Sequence, residues 1–402
     1  TAKATILRVK DPQQTLSGIV YKGDHLSGLV TNTPGWHTLF AQVKLGAMRW
    51  WMPVNFKILP ACQLERLRQN ATGLRFSIRN NTGRTLSRTA LLSGGSYRHE
   101  VKLHIAPGKT SRTLSIPAGY LVAGSNRVEV RLAHQVIDTV FVNWQLQGFP
   151  AKFTCDKINL EPYFNARVTE IFQQRYRSPR PEVPTLQLPV QGIGNWCSPL
   201  ADPPVIDSGL RRLAGPKGYF KLPGDISLAT PGKPDTPNIV FTSRWDNYPA
   251  AVTIPLRGKA SHVYFLMAGS TSPMQSRMTN GKVIVRYRDG STDSLLLKNP
   301  DTWWPLAQDY HPDGYAFHIT EPVPYRVHLE TGRITRHFTH YKPVKGLTAW
   351  GVPGGAATIL DMPLHAEKTL QSLEVKTMAN DVVIGLMSVT LLRTKPSNQR
   401  SL

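Results

Sequence analysis

The sequence predicts an all-β protein made of tandem β-sandwich domains that end in a jelly roll, and three observations support this prediction. Runs of alternating apolar and polar residues recur along the chain, as expected for strands with one face in a core. A hairpin is predicted to begin at Asn280-Gly281 and to turn at Asp289-Gly290, because both dipeptides accept positive φ. Helical periodicity is weak, and Tyr163–Tyr176 is the best helix candidate. We therefore expect at least about 35% strand and less than about 12% helix.

Five segments are expected along the chain. Residues 1–60 carry strand-like runs and are typical of the C-terminal part of a β domain that starts upstream. Residues 61–145 are predicted to form an immunoglobulin-like β-sandwich, since turn signals recur there about every 8–12 residues. Residues 146–236 are Pro-rich and irregular, residues 237–394 return to dense strands of jelly-roll size, and residues 395–402 form a tail. The predicted strands include Thr5–Val9, Gly28–Val30, His37–Leu45, Trp50–Ile58, Gly73–Arg79, Ser87–Leu92, Glu100–Ile105, Ser111–Ile116, Asn126–Leu132, Asp138–Trp144, Leu370–Lys376 and Val382–Leu392.

The irregular segment is predicted to wrap over the jelly roll between residues 190 and 212 and not to hang free as a linker. Four apolar residues would each lose roughly 1.5–3 kcal/mol of burial free energy if they stayed in water, namely Ile193, Trp196, Ile206 and Leu210. The prolines of this segment lower the entropy lost on ordering. A wrapped segment would hold Asp207 and Arg211 at a domain junction, where ligand clefts tend to form.

The charge of the chain is strongly basic. It holds 48 Lys and Arg against 26 Asp and Glu, a formal net charge of +22. Such a field favours polyanionic partners, although a basic surface without a dedicated partner explains it too. The basic residues are spread along predicted strands, and no RRM, OB-fold or helix-turn-helix signature accompanies them. Nucleic acid is therefore the less favoured polyanion.

Several chemistries find no matching motif in the sequence. The chain has no GxSxG nucleophile motif and no HExxH or other metal-ligand spacing, so we expect no metal and no cofactor. Its glycine pairs lack the strand–turn–helix context of a phosphate loop. No apolar run approaches the roughly 20 residues of a membrane helix. Two states stay open for the three cysteines: a Cys155–Cys197 disulfide, as in a periplasmic or secreted protein, or three buried thiols.

Several sequence motifs resemble one family of large secreted bacterial proteins. The motifs are Gln191-Gly-Ile-Gly-Asn-Trp-Cys197, Ile206-Asp-Ser-Gly-Leu-Arg211, Phe241-Thr-Ser-Arg-Trp-Asp-Asn-Tyr-Pro249, Gly258-Lys-Ala-Ser-His262, Met267-Ala-Gly-Ser-Thr271, Asn299-Pro-Asp-Thr-Trp-Trp-Pro305, Gly354-Gly-Ala-Ala357 and Asp381-Val-Val-Ile-Gly385. They resemble the C-terminal β-sandwich and jelly-roll region of glycoside hydrolase-like proteins, in which an α/α-toroid glycosidase domain comes first. The resemblance covers residues 185–392 best. It implies a secreted or periplasmic location and an upstream catalytic domain in the same polypeptide.

Aromatic and acidic residues supply the candidate sugar contacts. An indole can stack on the apolar face of a pyranose, and Arg or Lys can hold a uronate or sulfate. For the adjacent pair Trp303-Trp304, strand alternation predicts one buried and one exposed ring. The tryptophans considered are Trp36, Trp50, Trp51, Trp196, Trp303, Trp304 and Trp350. The carbohydrate-binding residues we predict are Trp196, Asp207, Arg211, Trp245, Asp246, Trp303 and Asp309.

Glycoside hydrolysis needs two carboxylates on either side of the scissile bond, and no such pair can be assigned here. The sequence therefore favours a non-catalytic accessory region of a carbohydrate-active protein, which supports or completes a sugar-binding cleft. An independent carbohydrate-binding module for acidic polysaccharide is the alternative, and a nucleic-acid-binding protein is the weaker rival.

Overall fold

The structure is a computed structural model that describes residues 3–30, 33–70, 72–132, 135–145, 153–172, 204–245, 247–271, 275–310, 319, 322–336, 342–343, 350–380 and 382–395. Strands account for 55% of it and helical turns for 6%. The predicted all-β fold class is thereby confirmed. The described part contains one α-helix, α1 at Ser208–Ala214, and four single 3₁₀ turns at Ala118–Tyr120, Glu161–Tyr163, Val168–Glu170 and Gly215–Lys217. None of these helices is long and apolar enough to cross a bilayer.

The N-terminal strands form a small sheet of their own. Its strand order is β1-β4-β5, and all pairs are antiparallel. A separate two-stranded hairpin, β2-β3, lies between β1 and β4 in sequence. The five strands are β1 Thr5–Lys10, β2 Val20–Lys22, β3 His25–Ser27, β4 Gly35–Leu45 and β5 Met48–Ile58. Alternation along β4 buries His37, Leu39, Ala41 and Val43 on one face and leaves the other face accessible.

Residues 62–143 form a two-sheet antiparallel sandwich. One sheet has the order β10-β7-β6 and the other β12-β11-β8-β9. Inward-facing side chains such as Phe76, Leu92 and Val130 fill the space between the sheets. The strands are β6 Cys62–Asn70, β7 Gly73–Asn80, β8 Leu86–Gly94, β9 Tyr97–Ile105, β10 Leu114–Pro117, β11 Gly124–Leu132 and β12 Gln135–Asn143. Turns fall close to the predicted positions, whereas β6 was not among the predicted strands.

The remaining strands build a larger two-layer unit. A seven-stranded sheet follows the path β13-β27-β18-β25-β21-β22, with β16 also paired to β27, and a four-stranded sheet has the order β17-β26-β19-β20. Two small hairpins, β14-β15 and β23-β24, complete the set. The strands are β13 Phe153–Lys157, β14 Tyr219–Lys221, β15 Ser227–Ala229, β16 Val240–Ser243, β17 Ala251–Pro255, β18 His262–Gly269, β19 Thr279–Tyr287, β20 Thr292–Lys298, β21 Arg326–His328, β22 Ile334–Thr335, β23 Lys342–Pro343, β24 Trp350–Gly351, β25 Ala356–Pro363, β26 Leu370–Thr377 and β27 Val383–Thr394.

The seven-stranded sheet is covered on both faces. Every residue of β18 and of β25 is buried. Val263, Phe265 and Met267 point into the core shared with the four-stranded sheet, whereas Tyr264 and Leu266 belong to the core shared with the sandwich and with α1. Strands buried on both faces lose their polar–apolar alternation, as the apolar run at 263–268 does.

Two local predictions are wrong. The candidate helix Tyr163–Tyr176 is not an α-helix in its described part, which contains only the 3₁₀ turns Glu161–Tyr163 and Val168–Glu170. Asn280-Gly281 lies inside β19 and not in a turn, because the Asn280 amide is buried and donates to backbone carbonyls. The turn at Asp289-Gly290 is where it was predicted, between β19 and β20.

The described part of the predicted wrapping segment, residues 204–212, is packed. Val205 bridges to Gly354, Leu210 is fully buried, and its amide donates to the carbonyl of Leu329. Ile206 is 37% exposed. The other two apolar residues of the prediction, Ile193 and Trp196, lie outside the described residues.

Candidate functional site

Asp207 and Arg211 are brought together, but in a buried ion pair. Asp207 precedes α1 and Arg211 is one turn further on, so their side chains meet with Nη2 2.9 Å from Oδ2. Arg211 Nε also donates to this oxygen, and its Nη atoms donate to Lys233 O and to both oxygens of Thr236. The guanidinium therefore pins the loop at 233–236 onto α1 and has its donors already engaged.

A cleft opens beside this ion pair. Phe164, Arg212, Lys233 and a series of prolines line it together with Arg211. Arg211 lines this cleft, whereas Asp207 does not. Their hydrogen bonds nevertheless point into the protein, so the pair holds the wall of the cleft and does not present a free charge to it.

Trp303 and Asp309 lie in the core and not on an exposed sugar-stacking surface. Trp303 is 1% exposed and its Nε1 donates to Ser270 O, while Trp304 is 3% exposed and donates to Pro300 O. The prediction that one indole of this pair is exposed is wrong, because both residues lie in an irregular segment after β20, where strand alternation does not apply. Asp309 is 1% exposed, with Oδ1 3.8 Å from Nη1 of the fully buried Arg326.

The remaining predicted contacts give no exposed cluster. Trp245 is half-buried, and its Nε1 donates to Asn380 O at 3.1 Å. Asp246 and Trp196 lie outside the described residues, as does Cys197. Cys155 is a free thiol in the structure, and burial raises its pKa. Among the described residues, no three His, Cys, Asp or Glu side chains converge as metal ligands would.

A buried histidine–aspartate pair lies where the sandwich meets the seven-stranded sheet. His262 Nε2 donates to Asp361 Oδ2 at 2.8 Å, and the same oxygen accepts the backbone N–H of Ser125. Tyr264 OH donates to Ala123 O nearby. Both side chains are at least 95% buried. Asp361 is the carboxylate that would orient His262 as a general base. The same carboxylate is also held by the backbone of the sandwich, so the pair joins the two units.

The accessible face of the N-terminal sheet is the strongest candidate for a binding site. Cross-strand partners share a face, so the register assigns thirteen residues to it. We call this set the basic aromatic face: Thr5, Arg8, Lys10, Trp36, Thr38, Phe40, Gln42, Lys44, Arg49, Trp51, Pro53, Asn55 and Lys57. Five of these are cations and none is acidic, which gives a local charge of +5.

Its aromatic rings are exposed to an unusual extent. Trp36 is 71% exposed, and Phe40 and Trp51 are each 38% exposed. Trp36 lies opposite Lys57, and Trp51 lies opposite Gln42, six residues further along β4. At about 3.4 Å per residue, the two indoles are roughly 20 Å apart along the strands. This distance suits an extended chain better than a small molecule.

Cations and neutral polar groups lie between the rings. Lys10 Nζ is 5.0 Å and Arg8 Cζ 5.6 Å from the centre of the Trp51 ring, within cation–π range. Arg8 Nε also donates to Gln42 Oε1 at 2.7 Å, which ties the guanidinium to β4. Thr38 donates to Asn55 Oδ1 at 2.8 Å. The face thus offers an open indole at one end and an indole flanked by two cations at the other.

The sequence contains the signal for this face, although it did not lead to the prediction of a site there. The face is formed by the even-numbered residues of β4, the odd-numbered residues of β5 and three residues of β1. These residues are separated along the chain and meet only through the register of the three strands. Trp36 and Trp51 were among the tryptophans considered. Arg8, Lys10 and Lys57 were not identified.

Comparisons with known proteins add little to this geometry. No protein-family model matches the sequence, and no curated protein matches it. Among solved structures, the crystal structure of tripeptidyl peptidase 2 is similar over 85% of this chain, with 8% identity and a TM-score of 0.17. The match spans 21% of the length of that peptidase. A likeness this weak carries no argument about activity, so the described geometry is the basis for function.

Proposed function

We propose that this chain is a non-catalytic polysaccharide-binding region that holds an acidic polysaccharide on the basic aromatic face. The observation that carries the proposal is the combination, on one accessible face, of three exposed aromatic rings with five cations and no acid. The aromatic rings would stack on the apolar faces of sugar rings, and the cations would pair with uronate or sulfate groups.

The two ends of the basic aromatic face would make different contacts with the polysaccharide. Trp36 has an open ring and would stack directly on a pyranose. At the other end, Arg8 and Lys10 cover the Trp51 ring and would meet an anionic group instead. The neutral Thr38, Gln42 and Asn55 side chains between them suit sugar hydroxyls. That last feature favours a polysaccharide over a single-stranded nucleic acid, which also stacks on aromatic side chains and pairs with cations.

The setting we propose is an accessory region of a larger carbohydrate-active protein in the periplasm or outside the cell. The motif resemblance over residues 185–392 supports it, and in such a protein an upstream domain would carry the catalytic acids. Binding on the N-terminal sheet would keep the polymer close to that domain. The buried positions of Trp303 and Asp309 argue that the sugar contact lies on the N-terminal sheet and not among those two residues.

Affinity gel electrophoresis with a panel of polymers tests the ligand class. Polygalacturonate and heparin are the acidic polysaccharides, dextran is the neutral one, and an oligo-dT strand represents single-stranded nucleic acid. We expect retardation by at least one acidic polysaccharide, weakening as salt is raised, and none by dextran. Stronger retardation by oligo-dT than by either polysaccharide would favour the nucleic-acid alternative.

A pair of charge variants links binding to the face. R8Q/K10Q removes the two cations over Trp51 and should abolish most of the retardation. R88Q/K102Q removes two exposed charges from the sandwich and provides the control of equal charge change. Equal loss in both double variants would show that only net charge matters, which would contradict the proposal.

A further inference from the structure

A second cationic site lies on the outer face of the sandwich, on the sheet with the order β10-β7-β6. Arg68 of β6 is directly opposite Arg75 of β7, and Arg75 is directly opposite Ser115 of β10. The three side chains therefore form one row across three strands. Directly opposed Cβ atoms are about 4.5–5.5 Å apart, and all three residues are exposed.

Two opposed arginines destabilise a sheet unless a negative charge lies between them. In the described part of the chain, neither guanidinium takes part in an ion pair or a side-chain hydrogen bond with another residue. The neighbouring acid on β6, Glu65, is instead 3.7 Å from Arg79 and accepts a hydrogen bond from Gln63. The charge of the arginine pair is thus not balanced by the fold.

A strand irregularity next to the pair sets which residue of β6 lies opposite Arg75. The β6–β7 register shifts between Glu65 and Arg68, and Arg66 has a φ of 55°. This is a β-bulge, which inserts extra residues and turns the strand locally. Regular pairing from Glu65 would place Leu67 opposite Arg75, so the bulge brings Arg68 into that position and both arginines face solvent together.

We infer that Arg68, Arg75 and Ser115 bind a tetrahedral oxyanion, the sulfate or phosphate group of a ligand. A guanidinium presents its N–H groups as a planar fork that matches two oxygens of such a group, and two forks can hold all but one of its oxygens. The Ser115 hydroxyl supplies a further donor. This site lies on a different sheet from the basic aromatic face, and its test is independent of the proposed function.

Thermal unfolding and calorimetric titration with inorganic sulfate test the inference on the full chain. Sulfate is added at low millimolar concentration against sodium chloride of equal ionic strength, so that general salt effects cancel. We expect saturable binding and a higher Tm for the natural sequence. R68Q and R75Q should lose both effects, and R68Q should have a higher Tm than the natural sequence in sulfate-free buffer because the repulsion is removed.

The control is R88Q, which removes an exposed arginine that lies opposite Leu103 and has no cross-strand arginine. It should keep the sulfate effect. Sulfate binding that survives in both R68Q and R75Q, or that is lost equally in R88Q, would overturn the inference. If the glutamine variants fail to fold, R68K keeps the charge but not the fork and should bind sulfate several-fold more weakly.

A parallel titration with inorganic phosphate distinguishes the two sources of the group. Tighter binding of sulfate supports the site and points to a sulfated polysaccharide. Tighter binding of phosphate supports the site and points to a phosphate-bearing partner. Absence of saturable binding for both ions contradicts the site.

Discussion

At the scale of the residue, the buried ion pair of Asp207 and Arg211 shows how a polar side chain can be a poor guide to function. Both residues were predicted from a Pro-rich segment to face a ligand. The structure places them at the start of α1, where the side chain of Asp207 is 10% exposed and that of Arg211 is 6% exposed. A buried charge is strongly destabilising without an opposite charge beside it, so packing alone explains why the two residues are paired.

Removing one member of this pair should be costly. We expect R211A to lower the free energy of unfolding by about 3–5 kcal/mol, because it leaves the Asp207 carboxylate buried without its partner. The neighbouring R212A should change it by less than about 0.5 kcal/mol, since Arg212 is exposed. Urea unfolding followed by tryptophan fluorescence measures both. Equal effects of the two substitutions would show that the pair does not hold α1.

At the scale of the element, alternation and turn chemistry predicted most strands to within a few residues. Asp289-Gly290 marked the β19–β20 turn correctly, because the dipeptide accepts positive φ whatever surrounds it. Asn280-Gly281 did not mark a turn, since tertiary contacts bury Asn280 inside β19. The prediction for the Trp303-Trp304 pair is wrong because its residues lie in an irregular segment, where side chains follow the local path of the chain.

The β19–β20 turn should be sensitive to acid. Hydrogen bonds from Ser291, with help from Lys368, lower the pKa of Asp289 from its ordinary value near 4 to about 2. A lowered folded-state pKa means that the carboxylate stabilises the fold fully above about pH 4 and loses this effect as pH falls towards 2. D289A should therefore be less stable than the natural sequence at pH 6, and the difference should shrink at pH 3. A difference that is constant with pH would contradict this account.

The candidate site was less predictable than the fold. A single strand gives the side-chain alternation, but the basic aromatic face needs the register of three strands, and register depends on pairing partners that a local pattern does not specify. The sequence marks Trp36 and Trp51 as tryptophans of interest. It does not show that Arg8 and Lys10, some forty residues upstream of Trp51, lie over its ring.

At the scale of the whole molecule, the sandwich is docked on the seven-stranded sheet through close backbone approach. Gly124 has a φ of +101°, and a Cβ added there would lie 2.5 Å from Asp361 Oδ2. That carboxylate cannot move freely because His262 and the Ser125 amide hold it. The glycine and the buried pair together define how the two units meet.

Substitution of this glycine tests the docking. G124A should lower the free energy of unfolding by about 1–3 kcal/mol through backbone strain, and contact with Asp361 adds to the loss. G83A is the control, because an added Cβ at Gly83 meets nothing within 4 Å. Differential scanning calorimetry of both variants measures the effect. A G124A variant as stable as G83A would mean that the two units are not held at this point.

The central claim is that an acidic polysaccharide binds the basic aromatic face, and Trp36 and Trp50 allow a direct test. Both are exposed tryptophans of the N-terminal sheet, but Trp50 is opposite Val43 and therefore lies on the reverse face. The measurement is isothermal titration of W36A and W50A with the acidic polysaccharide that retards the natural sequence most strongly. We expect binding about tenfold weaker for W36A, equivalent to about 1.4 kcal/mol, and unchanged for W50A. Equal affinities of W36A and the natural sequence would contradict it.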